Sequence, residues 1–211
     1  MSKKTVKTMT SRRAAQTREL VLASGSRYRK ELLERLGLAF IIVPPAIDES
    51  PRDGESPAAL ALRLAEAKAR AVVSAHSNSL IVGSDQVAEI SGSAIGKPRD
   101  RAHALQMLSR MSGRTIVFHT AIALLNAASG RLQTALVDVA STFRTLDASE
   151  LEIYVDRDQP YDCAGAVRVE AAGIALFTRI ASDDPTALIG LPLIRLTDML
   201  RAEGVSIFNV S

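Results

Sequence analysis

The sequence predicts an α/β protein built around one mixed sheet, and three observations point there. Strand-like and helix-like stretches alternate through the first part of the chain. Two long apolar-rich strands, about Thr115 to Leu125 and Leu132 to Phe143, then follow across an Asn-Ala-Ala-Ser-Gly turn. No repeat or linker divides the 211 residues into independent domains. Alternation calls for parallel strands and the long pair for antiparallel ones, so a mixed sheet accommodates both.

In chain order, Leu20 to Ala23 suits a buried strand. The corner Ser24-Gly25-Ser26 leads into a helix with Leu32, Leu33 and Leu36 at helical spacing before Gly37. Gly25 allows a tight turn and Ser26 can cap the helix. Such a corner leaves backbone N–H groups free at a positive helix end, with Arg29 and Lys30 in the first turn. It suits a phosphate, although an ordinary strand-to-helix corner with a solvated basic turn has the same pattern. Phe40 to Val43 is a second strand closed by Pro44-Pro45, and Asp48-Glu49 places adjacent carboxylates in a loop. Ser56-Pro57 starts a helix that is expected to run to about Ser74, with Leu60, Leu64, Ala67 and Ala71 on one face and Lys68 near its edge.

Leu80 to Ala88 reads as a buried strand broken by Ser84-Asp85-Gln86. An unpaired carboxylate there is costly, so Asp85 is either a paired structural residue or one with a metal or catalytic task. Ser91-Gly92-Ser93 turns a hairpin toward Gly96-Lys97-Pro98, and Asp100 caps a helix carrying Leu105, Leu108 and Met111. Asp147 and Glu150 form a capping box before Leu151, Tyr154 and Val155. Cys163-Ala164-Gly165 leads to Glu170, Gly173 and an expected strand from Ile174 to Ile180. A last helix after Gly190-Leu191-Pro192 buries Leu193, Leu196 and Leu200.

Composition narrows the function classes. The net charge of +3 is uneven, because residues 1–18 hold six Lys or Arg and no acid. The rest is mildly acidic, which argues against a nucleic-acid partner. The basic stretch 1–18 is expected to be a poorly ordered tail outside the chemistry, before a single domain over 19–205 and a short C-terminal tail, 206–211. No apolar run is long enough to span a bilayer, so no membrane partner is expected. Cys163 is the only cysteine, which excludes an internal disulfide, and no zinc-ligand spacing appears. The expected compartment is the cytoplasm.

Several motifs then occur together: Leu22-Ala23-Ser24-Gly25-Ser26 with Arg29 and Glu31-Leu32-Leu33, Ile47-Asp48-Glu49, Gly83-Ser84-Asp85-Gln86-Val87, Gly96-Lys97-Pro98, Cys163-Ala164-Gly165 and Gly190-Leu191-Pro192-Leu193. In this order they resemble the Maf family of nucleoside triphosphate pyrophosphatases, also known as septum formation inhibitor proteins. The resemblance runs from about Leu20 to Gly204. It implies an elongated fold related to inosine triphosphate pyrophosphatases, with two lobes around a central cleft and a tendency to form homodimers. It also implies cleavage between the α- and β-phosphates of a nucleoside triphosphate, with a divalent metal, magnesium or manganese.

The resemblance assigns Ser24, Ser26 and Arg29 to the phosphates and Asp85 to proton acceptance. Lys68 and Lys97 join Asp85 as catalytic residues, and Glu49 joins it as a metal ligand. These residue types suit the chemistry independently, since a triphosphate needs cations and loop amides around it, and magnesium prefers oxygen ligands. Tyr28, Gln86 and Glu170 match the subgroup acting on 7-methyl-GTP, whose N7-methylated guanine is cationic. An aromatic ring attracts such a base, and Glu170 can neutralise it. The alternatives are the dTTP/UTP subgroup and a non-catalytic, nucleotide-binding regulator of cell division.

Overall fold

The computed structural model describes residues 18–208, so the basic-tail expectation falls outside the described residues except for Arg18. That residue donates from Nη2 to the Glu203 carbonyl at 2.7 Å.

Among the described residues seven strands form one sheet, mixed as the sequence predicts. They are β1 (Leu20–Leu22), β2 (Phe40–Ile42), β3 (Leu80–Ile90), β4 (Ser93–Ile95), β5 (Thr115–Asn126), β6 (Leu132–Phe143) and β7 (Phe177–Ala181). The order is β2-β1-β3-β5-β6-β7, with β4 also paired to β3. β1 lies parallel to β2 and β3, and the other pairings are antiparallel. Ser91 and Gly92 both have positive φ (51° and 81°), as a two-residue hairpin with the strands' right-handed twist requires.

Among the described residues five helices cover the sheet: α1 (Arg27–Glu34), α2 (Pro57–Ala71), α3 (Arg101–Met111), α4 (Ala148–Asp158) and α5 (Leu193–Ala202). The two-residue alternation of β3 decides which helix meets which face. Leu80 and Val82 pack with Leu32, Leu33, Leu196 and Leu200 of α1 and α5. Further along the same face, Ala88 and Ile90 meet Met107, Leu108, Leu151 and Val155 of α3 and α4. Ile81, on the opposite face, packs with Leu60, Leu64 and Ala65 of α2. Two helical layers thus sit end to end on one face, with α2 on the other.

Two boundaries differ from the sequence reading. Helix α2 ends at Ala71 and a 3₁₀ turn, Val73–Ala75, replaces its expected last turn. The expected strand from Ile174 begins only at Phe177, because Ala172–Leu176 is a 3₁₀ turn. There the Arg168 carbonyl accepts from the N–H groups of both Ala171 and Gly173, and Asp158 Oδ2 accepts from the Ala172 N–H at 2.8 Å. These bonds curl the segment, and extended structure resumes where the Phe177 ring meets Phe143 edge-on at 4.6 Å.

Pairing along β3 is interrupted on one side. β1 accompanies it as far as Val82, and β4 begins at Ala88. Among the described residues, Gly83 to Val87 therefore have β5 on one edge and no strand on the other. At the start of this gap α2 comes unusually close: a Cβ on Gly83 would lie 2.1 Å from the Ala65 carbonyl oxygen and 2.8 Å from the Ala69 nitrogen. Both are backbone atoms of one helix, so relief requires moving α2. Gly83→Ala is expected to lower unfolding free energy by about 1–3 kcal/mol, read from urea denaturation; an unchanged midpoint would refute this tight helix–sheet contact.

Candidate active site

The gap in β3 opens into a cavity of about 840 Å³. Side chains from both faces of β3 reach it, Asp85 and Val87 from the α2 side and Gln86 from the other. One rim is the corner after β1 and the other is Gly96-Lys97 after β4. All ten site residues named from the sequence line this one cavity: Ser24, Ser26, Tyr28, Arg29, Glu49, Lys68, Asp85, Gln86, Lys97 and Glu170. Asp48 does not line it; its Oδ1 accepts from the Ser50 N–H at 2.9 Å and shapes the loop instead.

The corner is organised by its two serines. Ser26 caps α1, and Ser24 Oγ accepts from the Ser26 N–H at 3.1 Å. Arg29 donates from Nε to the Gly190 carbonyl at 2.8 Å and from Nη1 to Ser24 Oγ at 3.4 Å. Among the described residues, none accepts from the backbone N–H groups of Gly25, Arg27 or Tyr28. Free amides at a capped helix start, backed by a guanidinium, make an anion cradle.

The second cluster is ionic. Lys68, one turn after Leu64 on α2, is buried and its Nζ lies 2.6 Å from Asp85 Oδ1 and 2.8 Å from Glu49 Oε1. Removing one partner from a buried pair of this kind costs about 3–5 kcal/mol, because a charge is then left uncompensated. Partial burial alone would push the Glu49 carboxyl up. The Lys68 hydrogen bond and the Lys68, Lys97 and Arg29 charges outweigh it, so the carboxyl sits below the usual range. The Glu49 loop is tied to α2 by Arg63, which donates to Glu55 at 2.6 and 2.7 Å and to the Ser50 carbonyl at 2.9 Å. Lys97 is exposed and makes no ion pair among the described residues, which leaves its charge available to a ligand.

Tyr28, Gln86 and Glu170 occupy a different part of the wall. The Arg27 guanidinium carbon lies 4.6 Å from the Tyr28 ring centroid and that of Arg168 lies 5.9 Å away, so this ring already attracts cations. Loss of water contact pushes the Tyr28 phenol up to about 12. Loss of water contact also raises the Glu170 carboxyl above its ordinary value, and a cation beside it would reverse that. Gln86 uses its amide N–H groups on Thr120 Oγ1 (3.0 Å) and on the carbonyls of Ala187 (2.9 Å) and Leu188 (3.0 Å). No described residue donates to its Oε1.

Two supporting groups escaped the sequence reading. Asp184, buried, accepts from the N–H groups of Thr186 (3.1 Å) and Ile194 (2.7 Å) and so holds the turn whose carbonyls receive Gln86, Ser84 and Arg29. Its local signal was Asp184-Pro185-Thr186, a turn-forming pattern just before Gly190. Tyr154 and Asp158, one turn apart on α4, hold the Glu170 loop: Tyr154 Oη bonds the Ala166 carbonyl and the Arg168 N–H, and Asp158 takes the Ala172 N–H. Their sequence spacing marked them only as one helix face.

Cys163 lies on the same wall, its Sγ 3.7 Å from Tyr28 Oη and 3.4 Å from Asp162 Oδ1. Burial pushes this thiol up to about 12, with the Asp162 and Glu170 charges adding to the effect. The reactive thiolate is therefore scarce at neutral pH. Alkylation at pH 8 is expected to run at least about a hundredfold slower than in urea-unfolded chain, with a rate still rising beyond pH 10; a plateau near pH 9 would mean an ordinary, accessible thiol.

A family model described as Maf-like protein matches residues 19–203. A protein of Ralstonia nicotianae named 7-methyl-GTP pyrophosphatase is 54% identical over 182 residues, 86% of this chain and 94% of its own. Proteins with the same name from Cupriavidus metallidurans and Thiobacillus denitrificans are each 50% identical over 190 residues, 90% of this chain and 96% and 94% of theirs. Among the described residues no helix is long and apolar enough to cross a membrane. With a matching family model over most of its length and relatives at half identity or better, this chain belongs to the Maf family.

Proposed function

We propose that this chain is a metal-dependent pyrophosphatase that hydrolyses 7-methyl-GTP to 7-methyl-GMP and pyrophosphate, clearing a modified nucleotide from the cytoplasmic pool. The observation that carries the reading is the meeting of two unlike clusters in one cavity. A cationic cradle of Arg29, Lys68 and Lys97 suits phosphates, and Tyr28 with Glu170 suits a positively charged ring. The names of the relatives agree with it.

The phosphates would lie against the free amides of the Ser24–Tyr28 corner, with Arg29 and Lys97 holding charge on the leaving group. Glu49 and Asp85 are the residues to hold a magnesium or manganese ion. Their carboxylate oxygens both lie within 2.8 Å of the Lys68 ammonium, so oxygens from separate segments already converge on a cation. Two carboxylates completed by phosphate oxygens and water make a donor set that such ions accept. An ion held there would supply Lewis acidity at the phosphates.

Asp85 receives the proton of the water whose oxygen bonds to the α-phosphorus, as the bond from that phosphorus to the bridging oxygen breaks. Pyrophosphate leaves with the bridging oxygen and the electron pair, and the proton then returns to solvent or product. Gln86, its N–H groups fixed on backbone carbonyls, offers only Oε1, an acceptor for donors on the base edge. Glu170, its carboxyl raised by lost hydration, would gain a compensating positive charge beside 7-methylguanine, so the cation is favoured over plain guanine.

Pyrophosphate release from 7-methyl-GTP, GTP, dTTP, UTP and CTP, with magnesium and with chelator, tests the reading. The expected outcome is chelator-sensitive release led by 7-methyl-GTP. Release led by dTTP or UTP would keep the chemistry and discard the assigned base, while no release would favour a binding protein. In the same assay Asp85→Asn is expected to lose at least about a hundredfold in turnover with nucleotide affinity within a few-fold. Unchanged turnover would remove Asp85 from the chemistry. Glu170→Gln is expected to lower kcat/KM for 7-methyl-GTP about tenfold and for GTP far less; equal losses would refute the charge argument.

A further inference from the structure

A lysine occupies the point where the two carboxylates assigned to the metal meet. Lys68 Nζ lies 2.6 Å from Asp85 and 2.8 Å from Glu49, and its side chain is only 7% exposed. Resting on the ligand assignment above, we propose that Lys68 stands in for the divalent cation in the free protein. The triphosphate must then draw its ammonium away before Glu49 and Asp85 can ligate the ion. Binding is thus ordered: the protein alone has little affinity for the metal, which is taken up with the nucleotide.

The charge balance at this end of the cavity carries this. Arg29, Lys68 and Lys97 stand around Glu49 and Asp85, and all three cations act on Glu49, whereas the other lining carboxylates, Asp162 and Glu170, belong to the Tyr28 wall. A divalent ion added without nucleotide would meet the Lys68 ammonium at contact range and the Arg29 and Lys97 charges beyond it, with poor screening because Lys68 and Asp85 are buried. A triphosphate reverses the balance. It brings several negative charges and offers the ammonium new oxygen partners, so Lys68 loses nothing by leaving the carboxylates.

Lysine suits this exchange better than arginine. It is a compact point charge on a flexible four-carbon stem, with three donors free to reorient, whereas a guanidinium fork would be fixed by its geometry. Lys68 also sits in the last turns of α2, which Gly83 lets approach β3 closely, so its backbone stays fixed while the ammonium moves. Lys68 therefore couples nucleotide arrival to metal uptake.

Manganese binding followed by the electron paramagnetic resonance signal of free Mn²⁺ tests this on the full chain. Binding of the α,β-methylene analogue of 7-methyl-GTP is followed separately by equilibrium dialysis. The chain alone is expected to bind Mn²⁺ at least about tenfold more weakly than in the presence of saturating analogue. Lys68→Met is expected to bind the ion without nucleotide at least about tenfold more tightly than the unmodified chain, and adding Glu49→Gln is expected to remove that gain. Tight Mn²⁺ binding by the unmodified chain alone, equal to that with analogue, would overturn the stand-in role while leaving the metal site intact. Analogue binding without Mn²⁺ uptake, or a gain in Lys68→Met that survives Glu49→Gln, would instead overturn the ligand assignment. The comparison within the unmodified chain decides the order of binding even if Lys68→Met does not fold.

Discussion

The structure depends on an interruption in strand pairing. β3 runs for 11 residues with β5 beside it for most of that length, yet its other edge loses β1 after Val82 and gains β4 only at Ala88. A closed sheet would bury Asp85 on one face and Gln86 on the other, with no shared space between them. At the open edge, side chains from both faces reach a common cavity, so one strand supplies a carboxylate to the region around Lys68 and an amide to the region around Tyr28. The two rims are chain segments that have just left a strand, the corner after β1 and Gly96-Lys97 after β4. Loss of pairing thus exposes the edge and also releases the residues that surround it.

Around this opening the charged groups are paired within the protein. Lys68 bridges Glu49 and Asp85, Arg29 leans on the Gly190 carbonyl and Ser24, and two arginines lie over the Tyr28 ring. Each contact limits the cost of holding a charged group away from water. Each can also be exchanged for an equivalent contact with a ligand. A preformed site that is internally satisfied is more stable when empty, and binding then depends on differences between partners rather than on their absolute strength.

Much of this was legible in the sequence where local rules suffice. The caps Ser56, Asp100 and Asp147 start helices where predicted, and the Ser91-Gly92 hairpin forms as its turn chemistry requires. The oddity of a carboxylate inside an apolar strand left a paired Asp85 as one of two readings, and the structure does pair it with Lys68. What the sequence concealed is long-range. Nothing local to Asp184 shows that its carboxylate holds the carbonyls that Gln86 and Arg29 use, and nothing local to Tyr154 shows that its hydroxyl meets Ala166 and Arg168. The Ile174 strand was misread for the same reason. Its residues suit an extended chain, but the Arg168 carbonyl and Asp158 bend it, and both contacts appear only once α4 has packed.

The two parts of the cavity wall have opposite preferences, and this polarity gives the site its orientation. The corner, Arg29 and Lys97 favour negative charge, while the Tyr28 ring and a Glu170 carboxyl raised by lost hydration favour a cation. A nucleotide with a neutral base satisfies only the first and leaves Glu170 partly desolvated without a counter-charge. A nucleotide with a cationic base satisfies both, in one direction only, because reversing it would set phosphates against Glu170 and a cation against Arg29. Such like-charge contacts discriminate more strongly than an added favourable contact of the same kind, since the wrong arrangement loses binding at both clusters. The same argument explains why Gln86 is tied down through its donors. A freely rotating amide could serve either a donor or an acceptor on the base, whereas one with its N–H groups held by Ala187 and Leu188 presents only an oxygen, and so accepts only from a base edge that donates.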